Sequence, residues 1–191
     1  MRIDGILDDM KQKGIKWVFI GAVDNALLNM IDPILLGLTV CDGNKIGSKS
    51  VVKISPEEPV GVFCKKDGKP GVIEYTELPT EMAHEVDEEG ELLFGESHIM
   101  CNLYSFEALE KISKEKLPYH SANKKAPYMN EMGEMIKPTK PNAYKYEAFI
   151  FDGFAFFDNI SILRGRRNED FAPVKNAEGN DSPATAVELY N

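Results

Sequence analysis

Ile15-Lys16-Trp17-Val18-Phe19-Ile20-Gly21-Ala22-Val23 is a nearly unbroken apolar run, and Asp24-Asn25 stands directly after it. The run is short and rich in β-branched and aromatic residues, which reads as a buried central strand of an α/β sheet. Ligands of open α/β sheets bind beyond the carboxyl ends of such strands, so Asp24-Asn25 is the first place to look for chemistry. Upstream, Gly5 to Lys13 has helical spacing and stops at Gly14. Downstream, Asp32-Pro33 pairs an N-cap with a first-turn proline, opening a short helix over Ile34 to Leu38.

Further along, Val51 to Ile54 reads as a strand. Val60 to Cys64 and Gly71 to Tyr75 flank Asp67-Gly68, a hairpin turn signal. Glu85 to Glu91 is an acidic run expected on a solvated loop or helix end. Ile99 to Tyr104 reads as a strand, and Ser105 caps a helix over Phe106 to Lys114. Leu117 to Asn142 reads as a long loop, Ala143 to Phe157 as a helix, Ile160 to Leu163 as a last strand, and Arg164 to Asn180 as polar loop. The expected fold is a single α/β domain over residues 1–191, with a mixed sheet, helices on both faces and a β-hairpin insertion.

Composition narrows the function classes. The chain has 191 residues, 22 basic against 31 acidic, for a net charge of −9. A phosphate-backbone or anionic-membrane binder needs a basic surplus, so neither nucleic acid nor membrane is an expected partner. No apolar stretch nears the ~18 residues that cross a bilayer. Met1 to Met10 holds three Asp and no apolar core, unlike a secretory leader. Cys41, Cys64 and Cys101 are odd in number and widely spaced, which suits buried thiols in a reducing cytoplasm. His84, His98 and His120 are too scattered for a zinc site.

Several segments, in order, match motifs of one family. They are Gly14-Ile15-Lys16-Trp17, Val23-Asp24-Asn25-Ala26-Leu27 and Asp32-Pro33. Pro56-Glu57-Glu58-Pro59-Val60-Gly61, Val72-Ile73-Glu74-Tyr75-Thr76-Glu77-Leu78 and Leu117-Pro118-Tyr119-His120 follow. Lys145-Tyr146-Glu147-Ala148-Phe149-Ile150-Phe151-Asp152 and Glu169-Asp170-Phe171-Ala172-Pro173-Val174-Lys175-Asn176 complete the set. Together they resemble the eukaryotic-type UDP-sugar pyrophosphorylases, most closely the UDP-N-acetylhexosamine branch, over residues 5 to 186. The resemblance implies a Rossmann-like (GT-A-like) nucleotidyltransferase core. It also implies Mg²⁺-dependent joining of UTP to a sugar 1-phosphate, N-acetylglucosamine 1-phosphate in that branch, with release of pyrophosphate. In such enzymes a Gly-x-Gly-Thr-Arg nucleotide loop lies upstream of the Val-Asp-Asn strand, and this chain has no Gly-x-Gly. The sequence therefore resembles the C-terminal portion of such an enzyme. A homodimer or an N-terminal partner chain is the expected complement.

Residue by residue, the resemblance implies that Asp24 holds Mg²⁺ near the nucleotide phosphates and that Asn25 orients the same turn. It implies that Glu74 and Tyr75 touch the sugar and that Lys175 contacts phosphate. A carboxylate accepts paired sugar hydroxyls, a tyrosine offers a flat wall, and a lysine is a compact cation where the α-phosphate changes partners. His98 replaces the Asn, and Asn102 the His, of a family Asn-Ile-x-x-His pattern whose Asn is a sugar contact; His98 keeps one hydrogen bond to offer. His120, Lys124 and Lys125 read as structural, Glu77 as a solvated strand end, and Phe149, Phe151 and Phe154 as core. The leading function is UTP:sugar-1-phosphate uridylyl transfer. The alternative is a non-catalytic sugar-phosphate-binding module.

Overall fold

The computed structural model describes residues 1–190. The chain opens with α1 (Ile6–Gln12), which ends before Gly14 at φ 68°, a left-handed conformation that suits glycine. Then come β1 (Trp17–Gly21) and α2 (Pro33–Cys41). The Asp32 carboxylate accepts from the N–H groups of Ile34 and Leu35 at 2.9 and 3.2 Å, capping α2 as expected. β2 (Ile46–Val52) leads to the hairpin β3 (Val62–Lys66) and β4 (Lys69–Ile73). Both turn residues, Asp67 and Gly68, have positive φ (52° and 77°), the twist that joins antiparallel strands through two residues.

After α3 (Thr80–Ala83) runs the ten-residue β5 (Glu96–Ser105), whose last residue caps α4 (Phe106–Ile112) through Ser105 Oγ and the Ala108 N–H at 3.1 Å. Four short strands follow: β6 (His120–Lys124), β7 (Tyr128–Met129), β8 (Met135–Ile136) and β9 (Ala143–Glu147). A 3₁₀ helix (Ile150–Phe156), β10 (Ser161–Arg164), α5 (Arg167–Asp170) and α6 (Pro183–Tyr190) complete the described elements.

The main sheet is mixed, in the order β10-β2-β5-β3-β4, with β10 parallel to β2 and the other pairings antiparallel. Alternation along β2 sends Ile46 to one face and Val51 to the other. On the first face Ile46 and Tyr104 pack with Leu7 of α1, Leu109 and Ile112 of α4, and Phe151 and Phe154 of the 3₁₀ helix. On the second, Val51, Ile99, Cys101 and Phe171 form a smaller cluster. α2 lies on that side close enough that a Cβ at Gly47 would meet Thr39 Oγ1 at 2.2 Å. Helices therefore cover both faces, as the sequence predicts.

Four expectations are corrected. β1 is an edge strand, not a central one: among the described residues it pairs with β5 alone, and all five of its residues are half-buried. A short apolar run looks the same at an edge as at a centre; the number of partners decides. Residues 117–142 are not a loop but carry β6, β7 and β8 of an antiparallel ribbon. The proposed helix over Ala143 to Phe157 is instead β9, paired residue for residue with β6, and then the 3₁₀ turn. Pairing with β6 satisfies the backbone of Tyr144-Lys145-Tyr146 as a strand, and that long-range pairing wins over the helical reading of the phenylalanines. Of the cysteines only Cys101 is buried; Cys64 is intermediate and Cys41 exposed. No described helix is long and apolar enough to cross a membrane.

Candidate functional site

β5 changes neighbours in its middle. Its Cys101 to Ser105 end pairs with β1, and Ala22 N–H still donates to Met100 C=O at 3.0 Å. Two residues away the partner is already the β3 side, where His98 N–H donates to Gly61 C=O at 2.8 Å. Met100, at φ 51°, marks the irregularity. The seam is where β1 and β3 part from the same edge of β5, the kind of divergence at which α/β sheets take ligands.

Asp24 lies two residues beyond Ala22 on this seam, and the 170–175 segment is sewn to it. The side chain of Asn25, buried, does the sewing. Its Nδ2 donates to Asp170 C=O at 2.8 Å, and its Oδ1 accepts from the N–H of Ala172 at 2.8 Å and of Leu27 at 3.2 Å. The backbone adds Ala26 N–H to Ala172 C=O (2.9 Å) and Val174 N–H to Asp24 C=O (2.8 Å). The backbone of Lys175 is thereby held beside the Asp24 turn although most of the chain lies between them, a proximity the linear sequence does not display. Among the described residues no hydrogen bond or ion pair occupies either the Asp24 carboxylate or the Lys175 ammonium. Lys175 N–H and Asn176 N–H both donate to Asp181 C=O, at 2.7 and 2.9 Å, which closes the loop behind them.

Behind this junction sits a buried charge triad whose two carboxylates lie in separate motifs and whose lysine lies in none of those quoted above. Lys49 of β2, 4% exposed, places Nζ 2.7 Å from Asp32 Oδ2 and 2.5 Å from Asp170 Oδ1. Burial works against the ammonium, but hydrogen bonds to Asp170 and Asp32 outweigh it and raise the Lys49 pKa above 10.5. Burial likewise raises the Asp32 pKa, and the Lys49 and helix N–H hydrogen bonds more than reverse that, leaving it below 3.8. The triad bolts the α2 cap, β2 and the 170–175 segment together.

On the other bank of the seam, a Cβ at Gly61 would lie 3.1 Å from Glu74 Oε1, so Glu74 stands over the start of β3. It is half-buried, and Tyr75 beside it is exposed. Burial raises the Glu74 pKa above 4.5, while the charge of His120 opposes that rise. His120 Nδ1 is 3.0 Å from Glu77 Oε1 and its Nε2 is 3.1 Å from Asp152 Oδ2. The ring also rests on Phe149, which stacks on Phe151 at 4.8 Å. A cleft of about 860 Å³ opens here against the β3–β4 hairpin.

His98 lies beneath the seam rather than on it: it is 5% exposed, edge-on to Phe63 and Phe151, and Nε2 donates to Asn102 Oδ1 at 3.0 Å. Ser48 Oγ donates to the same oxygen at 2.6 Å. The two positions that depart from the family pattern are therefore partners in one hydrogen bond. Burial lowers the His98 pKa to about 4, so it is neutral at physiological pH.

The structure thus brings Asp24, Asn25 and Lys175 together and sets Glu74 and Tyr75 across the seam from them, with His98 in the core below. Sequence reasoning missed the triad and the His120 bridge. A lysine inside an otherwise buried strand was the one signal for Lys49; His120 stood in a motif, but its partners lie 43 and 32 residues away and nothing in the sequence named them.

The model of the UTP–glucose-1-phosphate uridylyltransferase family matches residues 1–181. The chain belongs to this family. Among its relatives, the human UDP-N-acetylhexosamine pyrophosphorylase-like protein 1 is 42% identical over 186 residues, covering 95% of this chain and 37% of the relative. The UDP-N-acetylglucosamine pyrophosphorylase of Saccharomyces cerevisiae is 36% identical, covering 96% and 40%. The crystal structure of the Entamoeba histolytica putative UDP-N-acetylglucosamine pyrophosphorylase superposes with TM-score 0.87 at 37% identity, over 99% of this chain and 48% of that one. That from Trypanosoma brucei, in complex with an inhibitor, gives 0.82 at 35%, over 96% and 36%. The resemblance carried by the motifs is borne out. The chain spans about two fifths of the length of the curated relatives it matches.

Proposed function

We propose that this chain supplies the metal, sugar and phosphate contacts of a UTP:sugar-1-phosphate uridylyltransferase on a Rossmann-like, GT-A-like core in the cytoplasm, with N-acetylglucosamine 1-phosphate as the sugar substrate. The observation that carries the reading is the Asn25 clip, which joins the 170–175 segment to the Asp24 turn, so that Asp24 and Lys175, whose side chains are engaged by no partner among the described residues, belong to one backbone junction. The similarity to UDP-N-acetylglucosamine pyrophosphorylases supports the choice of sugar.

In the reaction an oxygen of the sugar phosphate forms a bond to the α-phosphorus of UTP, and the bond from that phosphorus to the bridging oxygen of pyrophosphate breaks. The nucleophile is already an anion, so no general base is required, and the protein's part is alignment and charge balance. Lys175 places its charge at the α-phosphate. Glu74 accepts sugar hydroxyls while Tyr75 offers a flat wall beside them. No group of three His, Cys, Asp or Glu side chains among the described residues forms a metal cage. A single free carboxylate fits Mg²⁺, which keeps several waters and completes its shell with phosphate oxygens. Asp24 would hold the ion, which neutralises phosphate charge when bound.

Calorimetric titration of the chain with N-acetylglucosamine 1-phosphate in Mg²⁺ buffer tests this. Saturable heat is expected from the native chain and about tenfold or weaker binding from Lys175→Ala, as for loss of one charge-assisted contact. Undiminished binding by Lys175→Ala refutes the assignment of Lys175, and no saturable heat from the native chain refutes the reading.

A further inference from the structure

Four carboxylates from three elements converge beside the seam. Glu74 and Glu77 follow β4, Glu147 ends β9 opposite His120 in the ladder, and Asp152 belongs to the 3₁₀ helix. Among the described residues no Lys or Arg pairs with Glu74, Glu77 or Asp152; Lys145 is paired to Glu147 at 2.8 Å, and Lys69, on the hairpin wall of the cleft, is paired to Asp158. Lys65 and Lys66 line the cleft farther out on the exposed end of β3. The cation inside the cluster is therefore the one that bridges two of its members, the imidazole of His120.

We propose that His120, held as the imidazolium between Glu77 and Asp152, is the positioning residue of the sugar site: it keeps Glu74 ionised and ties the site to the Phe149 ring of the core. This rests on the assignment of Glu74 to the sugar. A neutral imidazole has one N–H and donates to one carboxylate; the imidazolium donates to both, and both are within hydrogen-bond distance here. Burial lowers the His120 pKa, and the Glu77 hydrogen bond and the Asp152 charge overcome that, so it stands above 6.5. Burial raises the Asp152 pKa above 3.8, and His120 opposes that rise without cancelling it, the reciprocal of the same interaction. Without that charge Glu74, half-buried among three other carboxylates, takes up a proton at higher pH. Protonation turns one carboxylate oxygen into an O–H donor and a weaker acceptor, which costs the paired acceptance that reading two vicinal hydroxyls uses. The ring also ties the 117–147 ribbon to the sheet, since Glu77 and Asp152 lie on different elements and Phe149 packs on its face at 5.1 Å between centroids.

The test is a carbon-13 NMR titration of the side-chain carboxylates in the 191-residue chain, with the Glu74 signal assigned through Glu74→Gln. In His120→Gln the Glu74 midpoint moves upward; in His120→Arg, which keeps a cation able to reach both carboxylates, it returns to the native position or below. The acid limb of sugar-phosphate affinity, measured calorimetrically, moves with the midpoint, and His120→Gln binds about tenfold more weakly near neutral pH. An unmoved Glu74 midpoint in folded His120→Gln overturns the proposal. If His120→Gln does not fold, an Arg variant whose Glu74 titrates above the native midpoint overturns it equally. The carboxylate titration needs no ligand, so failure of the native chain to bind sugar phosphate refutes the sugar-site reading separately and leaves the charge relation decided on its own.

Discussion

Replacing Lys49 with methionine removes one charge and little volume from a site where both partners are almost sealed. The Asp32 and Asp170 side chains are 9% and 12% exposed, and each approached the same nitrogen, at 2.7 and 2.5 Å. Their oxygens then stand within about 5 Å of each other with no cation between them, a repulsion of roughly 3 kcal/mol at an effective dielectric of 20. Lost charge-assisted hydrogen bonds bring the expected destabilisation to about 3–5 kcal/mol, the usual cost of stripping one partner from a buried ion pair. For a domain of this size that is a fall of roughly 10 °C in Tm. Thermal and urea unfolding at pH 7, followed by circular dichroism, measure it directly.

The pH dependence supplies the control. Asp32 has a folded pKa below its unfolded 3.8, so it contributes stability above that value and loses it as pH falls through the folded pKa. In Lys49→Met, Asp32 loses the partner that lowers its pKa and protonates at higher pH than in the native chain, so the gap between the two proteins narrows on acidification. The triple change Lys49→Met, Asp32→Asn, Asp170→Asn removes the repulsion while Asn still caps α2, and it recovers most of the loss. A Lys49→Met chain within about 1 kcal/mol of native at pH 7, beyond the loss expected of a surface change, refutes the reasoning.

Asn25→Ala deletes a buried side chain that satisfies three backbone groups, so urea unfolding shows a loss of about 2–3 kcal/mol, and the Lys175 loop gains amide exchange out of proportion to the rest of the chain. His98 has a folded pKa of about 4 against an unfolded 6.5, so the unfolded chain binds the extra proton between these values and stability falls by about 3 kcal/mol as pH drops across the window. His98→Leu is expected to flatten that part of the stability–pH profile, and an unchanged slope rules His98 out as its source.

Local signals were read from sequence wherever one short segment decides its own structure. Asp32-Pro33 announces a helix start because the cap and its acceptors lie within three residues, and Asp67-Gly68 announces a hairpin because both residues must adopt positive φ. The 117–157 region misled for the converse reason. β6 and β9 are strands through each other, 19 residues of chain apart, and neither has an apolar face strong enough to declare itself alone. Glu77 is the solvated residue beyond a strand end that its sequence suggests, but that His120 is folded back against it shows only in the structure.

By itself the sequence determined the class of the protein: an α/β chain whose ordered motifs place it among UDP-sugar pyrophosphorylases, with Asp24, Glu74 and Lys175 as the residues to watch. Only the tertiary structure decided that β1 lies at an edge, that Asn25 joins Asp24 to Lys175, and that Lys49 and His120 hold the two banks of the seam. The division follows from range. Caps, turns and motifs are settled by neighbours a few bonds away, whereas charge pairing and strand position depend on groups that meet only after some hundred residues of chain have been folded between them.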